Sequence, residues 1–131
     1  MIDFENTVIV SRHKGAIEFI ATTIAQGNGW VWDIAPNNFI RFVEIIDGVR
    51  KDKGIISVIT DDATKADVID RVVYGNLPLA LAVLTKEIRA VEFEGKAPRG
   101  QEYTCADMVA AGAYITSYVI LTAFEYETLI R

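Results

Sequence analysis

Thr7-Val8-Ile9-Val10-Ser11-Arg12-His13-Lys14-Gly15-Ala16-Ile17-Glu18-Phe19 reads as a strand, a short polar turn and the opening of a helix. Thr7 to Val10 is an uninterrupted β-branched run, the pattern of a strand covered on both faces. Lys14-Gly15 then leads into a helical period with Ala16, Ile20 and Ile24 on one face and Ile17 beside them. Gly27-Asn28-Gly29 stops that helix, since all three residues tolerate left-handed backbone. A buried strand feeding directly into a helix announces an α/β domain.

Outward from this unit, Trp30–Ile34 reads as a strand ending at Pro36. Phe39, Phe42, Val43 and Ile46 fall on one helical face, with Asn38 to cap it and Gly48 to end it. The same stretch is dense enough in aromatic and β-branched residues to be a strand; the helix is the expectation. Ile55–Thr60 reads as a strand, and Asp61 or Asp62 as the cap of a helix running to Val72. Gly75-Asn76-Leu77-Pro78 is a turn before the helix Leu79–Leu84, and Ile88–Glu94 is a strand. A polar loop, Gly95–Tyr103, precedes a helix that Thr104 and Asp107 cap reciprocally. The last strand spans Tyr114–Phe124 and is apolar enough for a central or interface position. The expectation is one α/β domain over residues 1–131, its sheet mostly parallel and flanked by helices. Ligands of such sheets collect beyond the carboxyl ends of the strands. Three loops emerge there: Ser11–Gly15, Gly75–Pro78 and Lys96–Thr104.

Composition narrows the functional classes. The 131 residues are 51% hydrophobic and 24% charged, a globular balance that excludes a disordered chain. Thirteen basic against eighteen acidic residues leave a net charge of -5, which argues against long nucleic acid as a partner. A small anion stays compatible, because a few local cations suffice to hold it. No apolar run is long enough for a bilayer, and the first residues lack a signal pattern, so a cytoplasmic protein is expected. Cys105 and His13 are the single residues of their kinds, which leaves no internal disulfide and no structural zinc. No metal or cofactor is expected.

Ser11, Arg12, His13, Lys14 and Gly15 deliver a hydroxyl, a guanidinium, an imidazole and an ammonium to a helix start, where backbone N–H groups favour an anion. Gly15 lets the backbone approach closely. The pattern suits a phosphate, and it equally suits a solvated basic turn. Asn76 can read a ligand or cap a helix; Arg99 and Gln101 can close over a ligand or face water. Trp30, Trp32 and Tyr74 can stack on a base but read first as packing groups, and Cys105 reads as a small core residue.

The segment from Thr7 to Phe19 resembles the opening of a small CRISPR-associated family found beside type III systems, which reads strand-Ser-Arg-His-Pro-Gly-Ala-Val-Glu-Trp. Gly75-Asn76-Leu77-Pro78 is similar to that family's Gly-x-Leu-Pro segment. Pro98-Arg99-Gly100-Gln101-Glu102-Tyr103-Thr104, with Asp107-Met108 and Gly112-Ala113, is similar to its closing Arg-Gly-x-Glu-Leu pattern and last helix. The resemblance covers roughly residues 7–25 and 71–121. It implies a Rossmann-like fold and a dimeric ring nuclease acting on cyclic oligoadenylate. It also implies that Ser11, Arg12, His13, Asn76 and Arg99 line a ligand site near a subunit interface. Lys14 stands where the family has proline, and residues between Gly27 and Asp70 have no counterpart.

That extra segment suggests a looser likeness to phage Thoeris anti-defence sponges, which bind cyclic ADP-ribose-type signals without cutting them. The expected function is sequestration of a cyclic nucleotide signal by Ser11, Arg12, His13, Lys14, Gly15, Asn76, Arg99 and Gln101, in a homodimer or larger homo-oligomer. The alternative is a metal-independent ring nuclease using Arg12 and His13, and a third reading is an oligomeric interaction domain with no nucleotide ligand.

Overall fold

The computed structural model describes residues 2–97 and 102–131. Strand β1 (Thr7–Val10) is buried along its whole length, as its unbroken β-branched run requires. The chain turns at Ser11 and Arg12 and enters helix α1 (Lys14–Asn28), whose N-cap is His13. Gly29, left-handed at φ 73°, closes the helix by donating its N–H to the last carbonyls.

Six further strands follow: β2 (Val31–Ala35), β3 (Phe39–Ile46), β4 (Val49–Ile59), β5 (Val72–Gly75), β6 (Glu87–Phe93) and β7 (Ala113–Tyr118). They form one sheet in the order β2-β3-β4-β1-β5-β6-β7. Strands β4, β1, β5 and β6 are parallel neighbours in the centre. Strand β2 runs against β3, β3 against β4, and β7 against β6.

This sheet overturns the expectation of a mostly parallel, Rossmann-like fold. The three antiparallel ladders hold five, eight and six register pairs, and the parallel ones only three, four and three. Pairing is therefore mostly antiparallel, and hairpins dominate it. The reason lies in residues 38–47, where Phe39–Ile46 form β3 rather than the expected helix. Asp47 and Gly48, at φ 51° and 76°, make a two-residue turn between Ile46 and Val49. Two successive positive φ angles match the right-handed twist of the flanking strands, so the chain reverses at once instead of crossing over. Ile40 and Phe42 then alternate into the core, and Phe42 is fully buried.

Helix α2 (Lys65–Val68) is a single turn, not the expected helix to Val72, and its capping box is Thr64 with Asp67 rather than Asp61 or Asp62. Helix α3 (Leu79–Ala82) is likewise one turn. Helix α4 (Cys105–Ala110) carries the expected box: Thr104 N–H donates to the Asp107 carboxylate and Asp107 N–H donates to Thr104 Oγ1. The last strand ends at Tyr118, well before Phe124, because Thr122 and Glu125 cap a final helix, α5 (Ala123–Ile130).

Two hydrophobic layers sandwich β1. On one face Ile20, Ala21 and Ile24 of α1 meet Ile9, Phe42 and Ile56. On the other, Val8, Val10 and Val73 meet Val68 and Leu81 of the short helices. The sheet is thus fixed from both sides at the strand whose carboxyl end opens the site.

Candidate functional site

Strands β1, β4 and β5 end at one level, at Val10, Ile59 and Gly75, and β6 runs on past them to Phe93. Helix α1 leaves β1 over one face of the sheet, while α2 and α3 lie on the other. Connections that depart to opposite faces leave a crevice between them at the carboxyl ends. The crevice here is a cleft of about 450 Å³, within the size range of small-ligand pockets. Ser11, Arg12 and His13 line it from the end of β1, Asp61 and Asp62 from the end of β4, and Asn76 from the end of β5. Phe93, Tyr103 and Met108 supply an apolar wall.

Each polar group is held locally. Ser11 N–H donates to the Ile59 carbonyl at 3.0 Å, which ties the turn to β4. Ser11 Oγ accepts from the His13 backbone N–H at 3.2 Å, shaping the approach to α1. The His13 imidazole stacks on Tyr103, ring centroids 5.0 Å apart and planes inclined at 29°. Burial pushes the Tyr103 hydroxyl up from its ordinary range, so the ring serves as a neutral platform. Arg12 pairs with Asp62, and the two side chains remain 66% and 90% exposed. Such a pair is weak and exchangeable.

Two glycines set the backbone of the site. A Cβ on Gly15 would lie 2.2 Å from the Tyr103 carbonyl oxygen, so α1 can approach the 103–104 backbone this closely only with glycine at that position. Gly75 has φ 129°, and a Cβ there would lie 2.1 Å from the Val10 carbonyl oxygen. The ends of β1 and β5 can approach side by side only because Gly75 has no side chain.

Of the residues singled out in the sequence, Ser11, Arg12, His13 and Asn76 therefore share one cleft. Gly15 is buried behind it, and Lys14, exposed at the first position of α1, does not line it. Arg99 and Gln101 lie outside the described residues. Trp30 stacks with Phe4 at 5.8 Å, Trp32 Nε1 donates to Thr22 Oγ1 at 3.0 Å, and the Tyr74 hydroxyl bonds Arg89; all three rings are packing groups away from the cleft. Cys105 is half-buried, and burial with the nearby Glu18 carboxylate pushes its thiol up, the reverse of an activated thiolate.

Sequence reasoning missed Asp61 and Asp62 as a wall of the cleft. Their position just beyond the strand Ile55–Thr60 was the available signal, because parallel strands send their carboxyl-end loops to one place. It also missed the Tyr103 platform under His13.

No family model, curated protein or solved structure matches this chain. Among the described residues no cluster of His, Cys, Asp or Glu is arranged to hold a metal ion, and no helix is long and apolar enough to cross a membrane. A guanidinium, an imidazole, a hydroxyl and an amide converge on one space with an aromatic wall. That set can hold an anion beside a flat ring. Asp61 and Asp62 oppose the anion, so Arg12 must leave Asp62 for it.

Proposed function

We propose that this cleft binds a cyclic nucleotide second messenger of antiviral defence, of the cyclic oligoadenylate or cyclic ADP-ribose type, and sequesters it so that immune signalling stops. The observation that carries the reading is the convergence of Ser11, Arg12, His13 and Asn76 on one cleft at the carboxyl ends of β1 and β5. Arg12 exchanges the Asp62 carboxylate for a phosphate, trading a solvent-screened pair for a charge-assisted bond inside the cleft. Ser11 and Asn76 supply neutral donors, and the apolar wall takes the ring. The proposed setting is the cytoplasm, and the proposed assembly is a homodimer or a larger homo-oligomer.

Sequestration is preferred to cleavage because of His13. A metal-independent ring nuclease lets the ligand's 2′-hydroxyl attack the adjacent phosphorus while the 5′-oxygen leaves, and a base and an acid move the protons. His13 and Arg12 stand together in the cleft, which keeps this second reading in play. Yet the imidazole rests on the Tyr103 ring, and among the described residues it donates no hydrogen bond to a carboxylate that would orient it. The segment 28–70 supplies Asp61 and Asp62 to the wall of the cleft, while its Trp30, Trp32 and Phe42 pack in the core.

The test mixes the protein with a panel of cyclic oligoadenylates and cyclic ADP-ribose isomers, then heat-denatures it and separates the supernatant by HPLC. Signal depleted before heating and recovered intact afterwards supports sequestration. Arg12→Ala should weaken retention roughly 10-fold or more, the worth of one charge-assisted bond. Linear products with turnover establish the nuclease instead. Neither depletion nor products would overturn both and leave an interaction domain.

A further inference from the structure

Strand β7 forms one edge of the sheet, and none of the described residues adds a strand beyond it. Its sequence, Ala113-Tyr114-Ile115-Thr116-Ser117-Tyr118, contains no charge, no proline and no glycine. Exposed edges are ordinarily protected by charged residues or proline, since their free N–H and C=O groups template another strand. The opposite edge obeys that rule: β2 carries Asp33, ion-paired to Arg41 and Arg50.

Beyond β7 the chain continues through Val119 to Leu121 into α5, and every residue from Leu121 to Arg131 is exposed. An eight-residue helix has too few backbone bonds to persist alone in water and needs a surface to pack on. Tyr126, Leu129 and Ile130 form a stripe at i, i+3 and i+4, and they stand 55%, 72% and 63% exposed. Between Tyr114 and Ile130, eight large apolar residues are left in water. At roughly 100 Å² apiece they amount to on the order of 800 Å² per protomer, the share each partner brings to an interface of standard size.

We infer that β7 and α5 together form a self-association surface whose occupant is a second copy of this chain. Two β7 edges pair antiparallel about a two-fold axis, the relation that lets one uncharged strand meet itself, and each α5 lays its apolar stripe on the partner. Both features are continuous in the chain, so a single joint satisfies the free edge and the free helix. The inference uses no residue of the cleft, and it fails or survives independently of the ligand.

Light scattering on the full chain tests it. The expected mass is twice the 14.5 kDa of one chain. The double variant Leu129→Glu/Ile130→Glu should run as a monomer with an unchanged circular dichroism spectrum, because both side chains are exposed in the single chain. A second measurement places single cysteines along residues 114–118 in a Cys105→Ser background. Oxidation should cross-link the position nearest the two-fold axis and spare the others, as disulfide geometry demands close Cα atoms. A monomer at about 100 μM, where a contact of this size is saturated, would overturn the proposal. So would a dimer indifferent to the glutamates, or one that no β7 cysteine cross-links. Capture of α5 by another protein while the chain stays monomeric counts against it too.

Discussion

Two glycines of α1 have opposite surroundings and make a paired prediction. Gly15 faces the Tyr103 carbonyl at a distance no Cβ tolerates, whereas a Cβ on Gly27 meets nothing within 4 Å. Gly15→Ala should cost about 1–3 kcal/mol, because the backbone of the 103–104 segment has to retreat. Gly27→Ala should add up to about 1 kcal/mol by raising helix propensity. Urea unfolding of both variants checks the pair; equal effects would mean that the α1 contact is not tight. At the cleft, Asp62 competes with any anion for Arg12. Asp62→Asn should therefore tighten binding of a phosphate-bearing ligand several-fold, read by calorimetry, while Arg12→Ala weakens it. Much of this residue-scale detail was visible beforehand: a strand followed by Ser-Arg-His-Lys-Gly already set polar groups at a helix start. The contact of His13 with Tyr103 was not, because ninety residues separate them and only the packing of α1 against the 103–104 segment brings them together.

At the scale of elements, the β2-β3-β4 hairpins are where sequence reasoning and structure part. Phe39, Phe42, Val43 and Ile46 satisfy a helical period, and Ile40 and Phe42 satisfy the strand period that the fold uses. Local spacing could not decide between them; the Asp47-Gly48 dipeptide could, since its two positive φ angles belong to a tight hairpin and not to a helix end. The cap of α4, by contrast, was readable because Thr104 and Asp107 satisfy each other within four residues. The hairpins also contain a pH-dependent tie. Asp33 accepts from Arg41 Nε at 3.0 Å and from Arg50 Nη2 at 2.7 Å, and these bonds hold its carboxyl below the ordinary range. A carboxyl with a lowered folded pKa contributes stability above its unfolded value, and the contribution fades as the pH falls through the folded one. Asp33→Asn should accordingly lower the melting temperature at pH 7, and the gap to the parent should close below about pH 4. A gap that persists in acid would assign the loss to packing instead.

For the whole molecule, the direction of β7 decides more than the sheet's edge. Strand β7 runs against β6, and β6 runs with β1 and β5, whose carboxyl ends open the cleft. When two β7 strands meet antiparallel about a two-fold axis, the partner's central strands point the other way. The two cleft mouths then open on opposite rims of a continuous sheet, and no ring can span both. On the proposed reading, a dimer built on this joint takes two messengers independently, one per chain, each seated at its own cleft of about 450 Å³. Calorimetry should give one ligand per chain with a Hill coefficient near one; half-stoichiometric binding would require a different joint. Under such an arrangement, capacity rises in strict proportion to the number of chains made. On the proposed reading, the free signal then falls in step with the number of chains until clefts and signal are equal, and no cooperativity between subunits sharpens that point.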